Sequence, residues 1–515
     1  VLALVLKSYI SPPKNIKNIQ KAKHPEVLVF KNYTPLELVP FDGGPYANFA
    51  GHDASRGLAK NSFDIEMMSD PNGLIDKLED LTADEWESLR EWENHFASKY
   101  LLVGKLLPIE LWFRIFQNLC IADLMKCTRV SKSWYNVIYE GTLWTNIDLS
   151  KNSHYTCVPN EAIMKFIQSS SKYLKIANLR GCYQLSGRTL RQIALDCPNI
   201  HTLILKDCRN ISVFSLNQFF RDPQLHLQHL KILDLSGLHT VRNTAFTQWL
   251  QPERIDIRKK KPPIEQLNLS YCQFLQFEGI KAIVQACSTT LTHLSLDGVP
   301  ANHVNDETLK IIGNYLNHHL EYLSLAYCHG ITDQGLCMFL QKKDNQTLIL
   351  SSCQRLTEVT LHLLASTTFD RLQILDISNN SLMADGTGLY RFFQDVNTLT
   401  HLNLEGITGL SSSTIHAIGQ YQPDLHCLSL SSCSQTTNQN IIYLFQRCQN
   451  LQHLELNGCF EITDELIKTL VVTLKTDRNS GVYLEVVDCP HITQHVLKEA
   501  VKACPMLSIK SFYSF

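Results

Sequence analysis

The chain has 515 residues, of which 44% are hydrophobic and 19% are charged, and its formal net charge is −2. This balance is typical of a globular protein of two to four domains. The chain lacks the overall positive charge that draws a protein to nucleic acid or to an acidic membrane. Its 17 cysteines are spread along the chain, which argues against the disulfide scaffold of a short secreted protein.

Residues 1–32 are mostly polar and carry the Pro- and Lys-rich stretch "SPPKNIKNIQKAKHPE". The preceding "VLALVLKSYI" is too short in its apolar part to span a bilayer. Two interpretations stay open: a linker, or the remnant of a membrane anchor or signal segment that starts upstream. The second would place the protein at a membrane.

Residues 33–104 hold a turn-rich stretch followed by a predicted helix. In "LTADEWESLREWENHFASKYLLVGKL", Thr82 and Glu85 have the spacing of a capping box at a helix start. This segment and the upstream "GPYANFAGHDASRGLA" resemble the membrane-associated progesterone receptor family, a branch of the cytochrome b5-like haem fold. The resemblance implies an N-terminal membrane helix and haem bound by a tyrosine, which suits ferric iron.

By that resemblance, Tyr46 would bind the haem iron, and Lys99 and Tyr100 would support it. Members of the family have a longer stretch with further strands between "FDG" and "GPY", whereas the two motifs adjoin here. Because the sheet beneath the haem would lack those strands, we expect this cofactor to bind weakly or not at all. The domain is therefore predicted to be a truncated α+β domain.

Residues 105–147 include "LPIELWFRIFQNLCIADLMKCTRVSKSWYNVI". Pro108 suits the first turn of a helix. Apolar residues then recur in two stripes, which predict two amphipathic helices: Ile109, Trp112, Phe116 and Leu119 in the first, and Leu124, Cys127, Val130 and Trp134 in the second. A segment of about 32 residues cannot bury a core of its own, so the pair needs a partner surface.

This segment resembles an F-box, notably at Leu107-Pro108, Ile115-Phe116, Val130-Ser131 and Trp134. F-box domains dock on the Skp adaptor of a cullin-based ubiquitin ligase. The resemblance implies that the adaptor contact includes, or lies over, Leu107, Pro108, Ile115, Phe116, Leu119, Leu124, Val130 and Trp134. The alternative is a plain helical cap for the domain that follows.

Residues 148–515 repeat the pattern L-x-x-L-x-L-x-x-C twelve times, as in "LEYLSLAYC" from 320 and "LQHLELNGC" from 451. A period of about 27 residues is the signature of leucine-rich repeats. One copy cannot bury its leucines, but stacked copies can, in a parallel sheet backed by helices. We therefore predict an α/β leucine-rich-repeat solenoid, preceded by an α-helical F-box. "LWTNIDLS" reads as a degenerate first repeat.

The ninth repeat position is cysteine in eight copies: Cys182, Cys208, Cys272, Cys328, Cys353, Cys433, Cys459 and Cys489. Four more precede strands: Cys197, Cys287, Cys448 and Cys504. A metal or disulfide ladder is one interpretation, but the chain has no C-x-x-C pair. We favour small buried thiols that donate weakly to loop carbonyls, which indicates the cytoplasm or nucleus. The pattern resembles the cysteine-containing class of leucine-rich repeats.

The F-box-like segment and the repeats together predict a non-catalytic substrate receptor of a Skp–cullin–F-box ligase, with a protein substrate on the concave sheet. Repeat positions 3 and 5 would face that substrate, and aromatic and His side chains are good anchors. The predicted contacts are His293, Tyr322, His401, His453 and Tyr483. No hydrolase, nucleotide-binding or metal motif is present. The alternatives are a membrane-anchored haem- or steroid-binding protein and a repeat scaffold without a ligase.

Overall fold

A computed structural model describes residues 109–512, with gaps at 120, 140, 151–159, 222–226, 250–262, 317–318, 341–344, 368–370, 384–386 and 477–480. All of these residues belong to one unit of the chain, Gly104–Phe515. The predictions for residues 1–108 lie outside the described residues, and they include Tyr46, Lys99, Tyr100, Leu107 and Pro108.

The described part begins with three short helices: α1 Ile109–Gln117, α2 Ile121–Cys127 and α3 Lys132–Ile138. The expectation of two helices was wrong. Ser131 has an extended backbone, and its hydroxyl accepts a hydrogen bond from the Trp134 amide at 3.1 Å, which starts a new helix. Val130 therefore lies in the turn before α3 and not on a helical stripe.

A 3₁₀ turn, Gly141–Trp144, leads into a parallel sheet of fourteen strands whose order is the order of the sequence. The strands are β1 Asn146–Asp148, β2 Ile176–Asn178, β3 Thr202–Ile204, β4 Ile232–Asp234, β5 Gln266–Asn268, β6 His293–Ser295, β7 Tyr322–Ser324, β8 Thr347–Ile349, β9 Ile374–Asp376, β10 His401–Asn403, β11 Cys427–Ser429, β12 His453–Glu455, β13 Val482–Val486 and β14 Leu507–Ser511.

Each pair of successive strands is connected through a helix, as a parallel sheet requires. These helices are α4 Asn160–Ser170, α5 Gly187–Asp196, α6 Val213–Arg221, α7 Asn243–Trp249, α8 Phe277–Ala286, α9 Asp306–Leu316, α10 Asp333–Leu340, α11 Glu358–Ser366, α12 Thr387–Asp395, α13 Ser412–Tyr421, α14 Asn438–Arg447, α15 Asp464–Thr476 and α16 Gln494–Ala503. A second 3₁₀ turn, Ser381–Met383, precedes α12. Every helix in the described part of the chain is too short or too polar to cross a membrane.

The leucine pattern decides which face of each strand is buried. In the copy that contains β7, Leu320, Leu323, Leu325 and Cys328 are all at most 1% exposed. The same position of every copy pairs with its neighbours, as Leu323 does with Leu294 and Leu348. Burying one such side chain stabilises the fold by roughly 1.5–3 kcal/mol. The predicted solenoid is confirmed, and so is the degenerate first repeat, which forms β1.

The eighth position of all twelve copies has a left-handed backbone. Five copies place glycine there, and seven place another residue with φ between 57° and 60°. The residues are Gly181, Asp207, Gly237, Tyr271, Gly298, Tyr327, Ser352, Asn379, Gly406, Ser432, Gly458 and Asp488. This turn lets the chain leave the strand and puts the ninth residue back into the core.

The ninth-position thiols donate to the sixth-position carbonyl of the preceding copy, over 3.0 to 3.3 Å for Cys208, Cys272, Cys328, Cys353, Cys433, Cys459 and Cys489. All cysteines in the described residues are free thiols. Burial raises the pKa of Cys353 and Cys433 to about 12, so these groups stay protonated near neutral pH. The prediction of small buried thiols is thus confirmed.

The helix starts are joined from one copy to the next. Thr332, Thr463 and Thr493 stand at the N-cap position, directly before α10, α15 and α16. However, the Thr493 hydroxyl makes no bond within its own helix and donates instead to Asp464 of the preceding copy at 2.8 Å. Thr332 donates to Asp306 at 2.7 Å in the same way. These bonds fix the spacing between neighbouring helices.

Candidate functional site

An aromatic cluster joins α1 to α3. The ring of Trp112 lies 5.6 Å from that of Phe116 and 4.9 Å from that of Trp134, and the Phe116 and Trp134 rings are 5.2 Å apart. Such pairs contribute about 0.5–1.5 kcal/mol beyond the area that they bury. The cluster gives this short segment a core that it could not build from aliphatic residues alone.

The predicted adaptor-contact residues fall into two groups. Phe116 and Leu124 are buried, at 1% and 7% exposure, while Leu119 and Trp134 are half-buried and pack on the core. Ile115 and Val130 lie on the surface with 45% and 47% of their area exposed. Of the described set, Ile115 and Val130 are therefore the exposed apolar residues, and the others pack between the helices and the core.

The sequence interpretation missed one exposed aromatic residue on α3. Tyr135 is 49% exposed, and its ring lies 4.5 Å from that of Tyr139. Tyr135 is not part of the apolar stripe from which the helix was predicted. Only its position next to Trp134 in the F-box-like motif could have indicated it.

A buried bond joins the helical segment to the solenoid. The indole of Trp144 donates to the carbonyl oxygen of Ile138 at 2.6 Å, and its ring lies 5.2 Å from that of Phe166 on α4. Trp144, Ile138 and Phe166 all belong to the core that continues through the repeats. The segment thus packs directly on the first repeat.

The sheet face opposite the helices, here called the open sheet face, carries repeat positions 3, 5 and 7. The predicted contacts all occupy position 3 and are half-buried. His293 and Tyr322 pair in register on β6 and β7, with stacked rings 5.6 Å apart. Burial lowers the pKa of His293, which favours its neutral form at physiological pH.

The other three predicted contacts form a separate group. His401, Cys427, His453 and Tyr483 pair in register across β10 to β13. The His453 and Tyr483 rings meet edge-on at 4.8 Å, and burial and two neighbouring histidines lower the pKa of His401. Thr347 and Ile374 on β8 and β9 separate this group from His293 and Tyr322. The five residues therefore share one face but form two clusters.

Between β5 and β7 the open sheet face contains a half-buried aspartate that the sequence interpretation missed. Asp297 accepts hydrogen bonds from the hydroxyls of Ser270, Ser295 and Ser324 at 3.2, 3.0 and 2.5 Å, and from the Ala326 amide at 2.9 Å. Burial nonetheless raises its pKa. The serines recur near the same repeat position, which is the signal that could have predicted this network.

Towards the C-terminus the open sheet face carries His453, Glu455 and Glu485, whose ligand-type atoms lie within 4.8 Å of one another. The His453 Nε2 atom is 3.4 Å from Glu455 Oε1. The Lys510 ammonium donates to both oxygens of Glu485 at 3.1 Å. A cation of the chain itself therefore already neutralises one of these two carboxylates.

Comparison with known proteins finds relatives of several parts of the chain. The sequence model of the F-box-like family matches residues 105–150, which contain the three helices and β1. A leucine-rich-repeat model matches residues 316–339. The cytochrome P450 regulator dap1 of Schizosaccharomyces pombe is 35% identical in an alignment of 122 residues that covers 18% of this chain and 74% of dap1.

The chain belongs to the dap1 family through its N-terminal part. The membrane-associated progesterone receptor component 2 of Rattus norvegicus is 39% identical over 99 residues, which are 18% of this chain and 44% of that protein. Lysine-specific demethylase 2A of Xenopus tropicalis is 26% identical over 256 residues, which are 48% of this chain and 21% of that protein. The chain thus spans less than half of the length of these last two relatives.

The fold is also similar to that of a chain in a solved structure. The crystal structure of the yeast Rad7 and Elc1 complex contains a chain that matches with a TM-score of 0.51 and 16% identity, over 86% of this chain and 98% of that one. The likeness concerns the fold. The F-box, the leucine-rich repeats and the cytochrome b5-like homology predicted from the sequence are thus confirmed.

Proposed function

We propose that this chain is the substrate-recognition subunit of a Skp–cullin–F-box ubiquitin ligase. One observation carries the proposal: an F-box-like segment packs on the first repeat through Trp144 and leaves Ile115 and Val130 exposed. Exposed apolar residues on a small helical module are typical of a surface that binds another protein. A plain cap of a solenoid would instead present a polar outer face.

In this proposal each part of the described chain has one task. The helices α1 to α3 bind the Skp adaptor, with Ile115 and Val130 in the contact and with Phe116 and Leu124 supporting them from beneath. The open sheet face binds a protein substrate. Holding the substrate near the ubiquitin donor raises its effective concentration there, so the chain contributes to the reaction without a catalytic group of its own.

The comparisons support the coarser part of this proposal. The F-box-like and leucine-rich-repeat matches support a recognition role, and adaptor-type proteins of this kind are generally not catalytic. The Rad7 chain of similar fold was itself solved as a complex with a second protein, Elc1. The Skp adaptor, the cullin core and the substrate of this chain are parts of the proposal.

Co-expression of the full chain with a Skp adaptor tests the proposal. We expect the two proteins to co-purify and Ile115→Asp to abolish the complex, because a carboxylate in the contact would be desolvated without a partner. Phe460→Asp is the matched control, since Phe460 is 62% exposed on a distant repeat. The proposal fails if the adaptor does not bind the wild-type chain, or if both variants weaken binding equally.

The N-terminal homology supports a second candidate function, haem binding in the manner of a cytochrome b5-like domain. We propose that Tyr46 is the haem ligand, and we expect weak binding because "FDG" and "GPY" adjoin. Haem titration of the full chain, followed by its absorbance, tests this expectation. A strong Soret band that is lost in Tyr46→Phe would contradict the expected weakness and identify the ligand.

A further inference from the structure

We propose that the open sheet face of β9 to β13 binds a Lys- or Arg-bearing segment of a protein partner. This inference rests on the proposed function in that it takes the partner to be the substrate. It concerns the cluster of His401, Cys427, His453 and Tyr483 and the carboxylates beside it. The chemistry of this surface, rather than its apolar area, indicates the kind of segment that fits.

The charges on this part of the sheet are mostly negative. At repeat positions 3, 5 and 7 of β9 to β14 there are four carboxylates, on Asp376, Glu405, Glu455 and Glu485, and a single ammonium, on Lys510. Lys510 pairs with Glu485, and His453 lies beside Glu455, so among the described residues Asp376 and Glu405 are left without an ion pair. At the other end of the same face, position 7 carries Arg180 and Lys206. A partner that lies along the sheet would thus be oriented, with its basic part over β9 to β13.

The polar contacts within the surface leave this imbalance in place. Glu485 is bound by Lys510 and also accepts from the Asn457 amide at 3.1 Å, and Asp376 accepts from the Asn403 amide at 3.1 Å. Among the described residues, no Lys or Arg forms an ion pair with Glu405. Burial and repulsion by Glu455 and Asp376 raise the pKa of Glu405. A cation supplied from outside would relieve this repulsion.

The half-buried side chains beside the carboxylates suit the stems of long basic residues. His401, Cys427, His453 and Tyr483 form one row because their strands pair in register. Lys and Arg lay their aliphatic stems on such surfaces and keep the charged end near a carboxylate or an aromatic ring. The row and the carboxylates together match an extended segment with alternate basic residues, whose side chains point to one side.

A bound metal ion is the competing occupant, because His453, Glu455 and Glu485 carry ligand-type atoms close together. The Lys510 ammonium already lies between the oxygens of Glu485 and would have to leave first. This makes the basic segment the better match, and metal binding becomes an outcome of the test.

Fluorescence anisotropy with the full chain tests the proposal. The probe is a labelled peptide of about eight alternating Lys and Ser residues, long enough to cross the roughly 20 Å of five strands. An alternating Glu and Ser peptide is the control probe. We expect the Lys peptide to bind, to bind more weakly as salt is added, and to lose about fivefold or more in affinity in the double variant Glu405→Gln, Glu455→Gln.

The matched control is the double variant Arg180→Gln, Lys206→Gln, which should keep the affinity for the Lys peptide. Thermal unfolding checks that both double variants are folded. Equal binding of the two peptides, or no effect of the glutamate substitutions, would overturn the inference. So would stoichiometric Zn²⁺ binding that is lost in Glu455→Gln. The adaptor is not needed for this measurement, so failure of the adaptor complex would overturn the proposed function alone.

Discussion

The indole nitrogen of Trp144 donates a hydrogen bond to the carbonyl oxygen of Ile138 over 2.6 Å, and both residues are buried. The bond runs from the last residue of the 3₁₀ turn that precedes β1 to the last residue of α3. It therefore fixes how the F-box-like helices sit on the first repeat, and with them the direction in which Ile115 and Val130 face.

Loss of this bond should weaken the junction. We expect Trp144→Phe to lower the free energy of unfolding by about 1–3 kcal/mol, because it removes a donor to a buried carbonyl and some apolar contact. Urea unfolding measures the change. Tyr135→Phe removes a polar atom from an exposed side chain and should cost less than about 0.5 kcal/mol. Equal costs in the two variants would mean that the bond is not important.

Two left-handed glycines differ in their surroundings. A Cβ atom at Gly298, where φ is +62°, would lie 2.5 Å from the Tyr271 ring, whereas at Gly458, where φ is +67°, its nearest contact would be Ser432 Oγ at 3.2 Å. Both alanine variants share the backbone strain, of about 1–2 kcal/mol. We expect Gly298→Ala to cost a further 1–3 kcal/mol or so through overpacking. Thermal unfolding of both variants measures the difference, and similar melting temperatures would refute it.

Asn380 occupies the ninth position that is cysteine in eight other copies. Its side-chain amide donates to the carbonyls of Leu350 and Ile377 at 2.8 and 2.9 Å. We expect Asn380→Cys to cost less than about 1.5 kcal/mol, because a thiol can still donate to Leu350. Asn380→Leu should cost about 2–3 kcal/mol, since it leaves buried acceptors unpaired. Chemical denaturation distinguishes these outcomes, and a leucine variant as stable as the cysteine variant would contradict the prediction.

Asp297 should give the stability of the chain a specific pH dependence. Burial raises its pKa above the ordinary 3.8, so the folded chain binds this proton more tightly than the unfolded chain. Asp297 therefore stabilises the folded chain most when the pH is below its ordinary pKa. This stabilisation declines as the pH rises from about 4 through the raised pKa. The unfolding free energy of the wild type, relative to Asp297→Asn, should therefore fall over that interval.

Unfolding measured at several pH values checks this prediction. Asp424→Asn, which removes an exposed carboxyl, is the matched control. A difference between wild type and Asp297→Asn that stays constant with pH, or that rises, would show that the hydrogen bonds from the three serines outweigh the effect of burial.

The repeat architecture could be predicted because it depends on local spacing. Strands β2 to β13 fall where the leucine pattern predicts them, since a strand that buries its fourth and sixth residues needs a neighbour with the same pattern. The last strand was missed because only Leu507 and Ile509 keep part of the motif. The break between α2 and α3 was missed because the apolar stripe continues past Ser131, whose hydroxyl caps a new helix.

The sequence by itself determined that the leucines must be covered by stacking, and hence the parallel sheet, the buried thiols and the face left for a partner. Only the tertiary structure decided which side chains meet on that face. His401 and Tyr483 are 82 residues apart in the sequence, yet they lie three strands apart because the copies pair in register. Likewise, Asp297 collects hydroxyls from three copies. Neighbouring parallel strands lie about 4.8 Å apart, so side chains of different copies meet only where the pairing register aligns them. The sequence of a single copy does not determine that register.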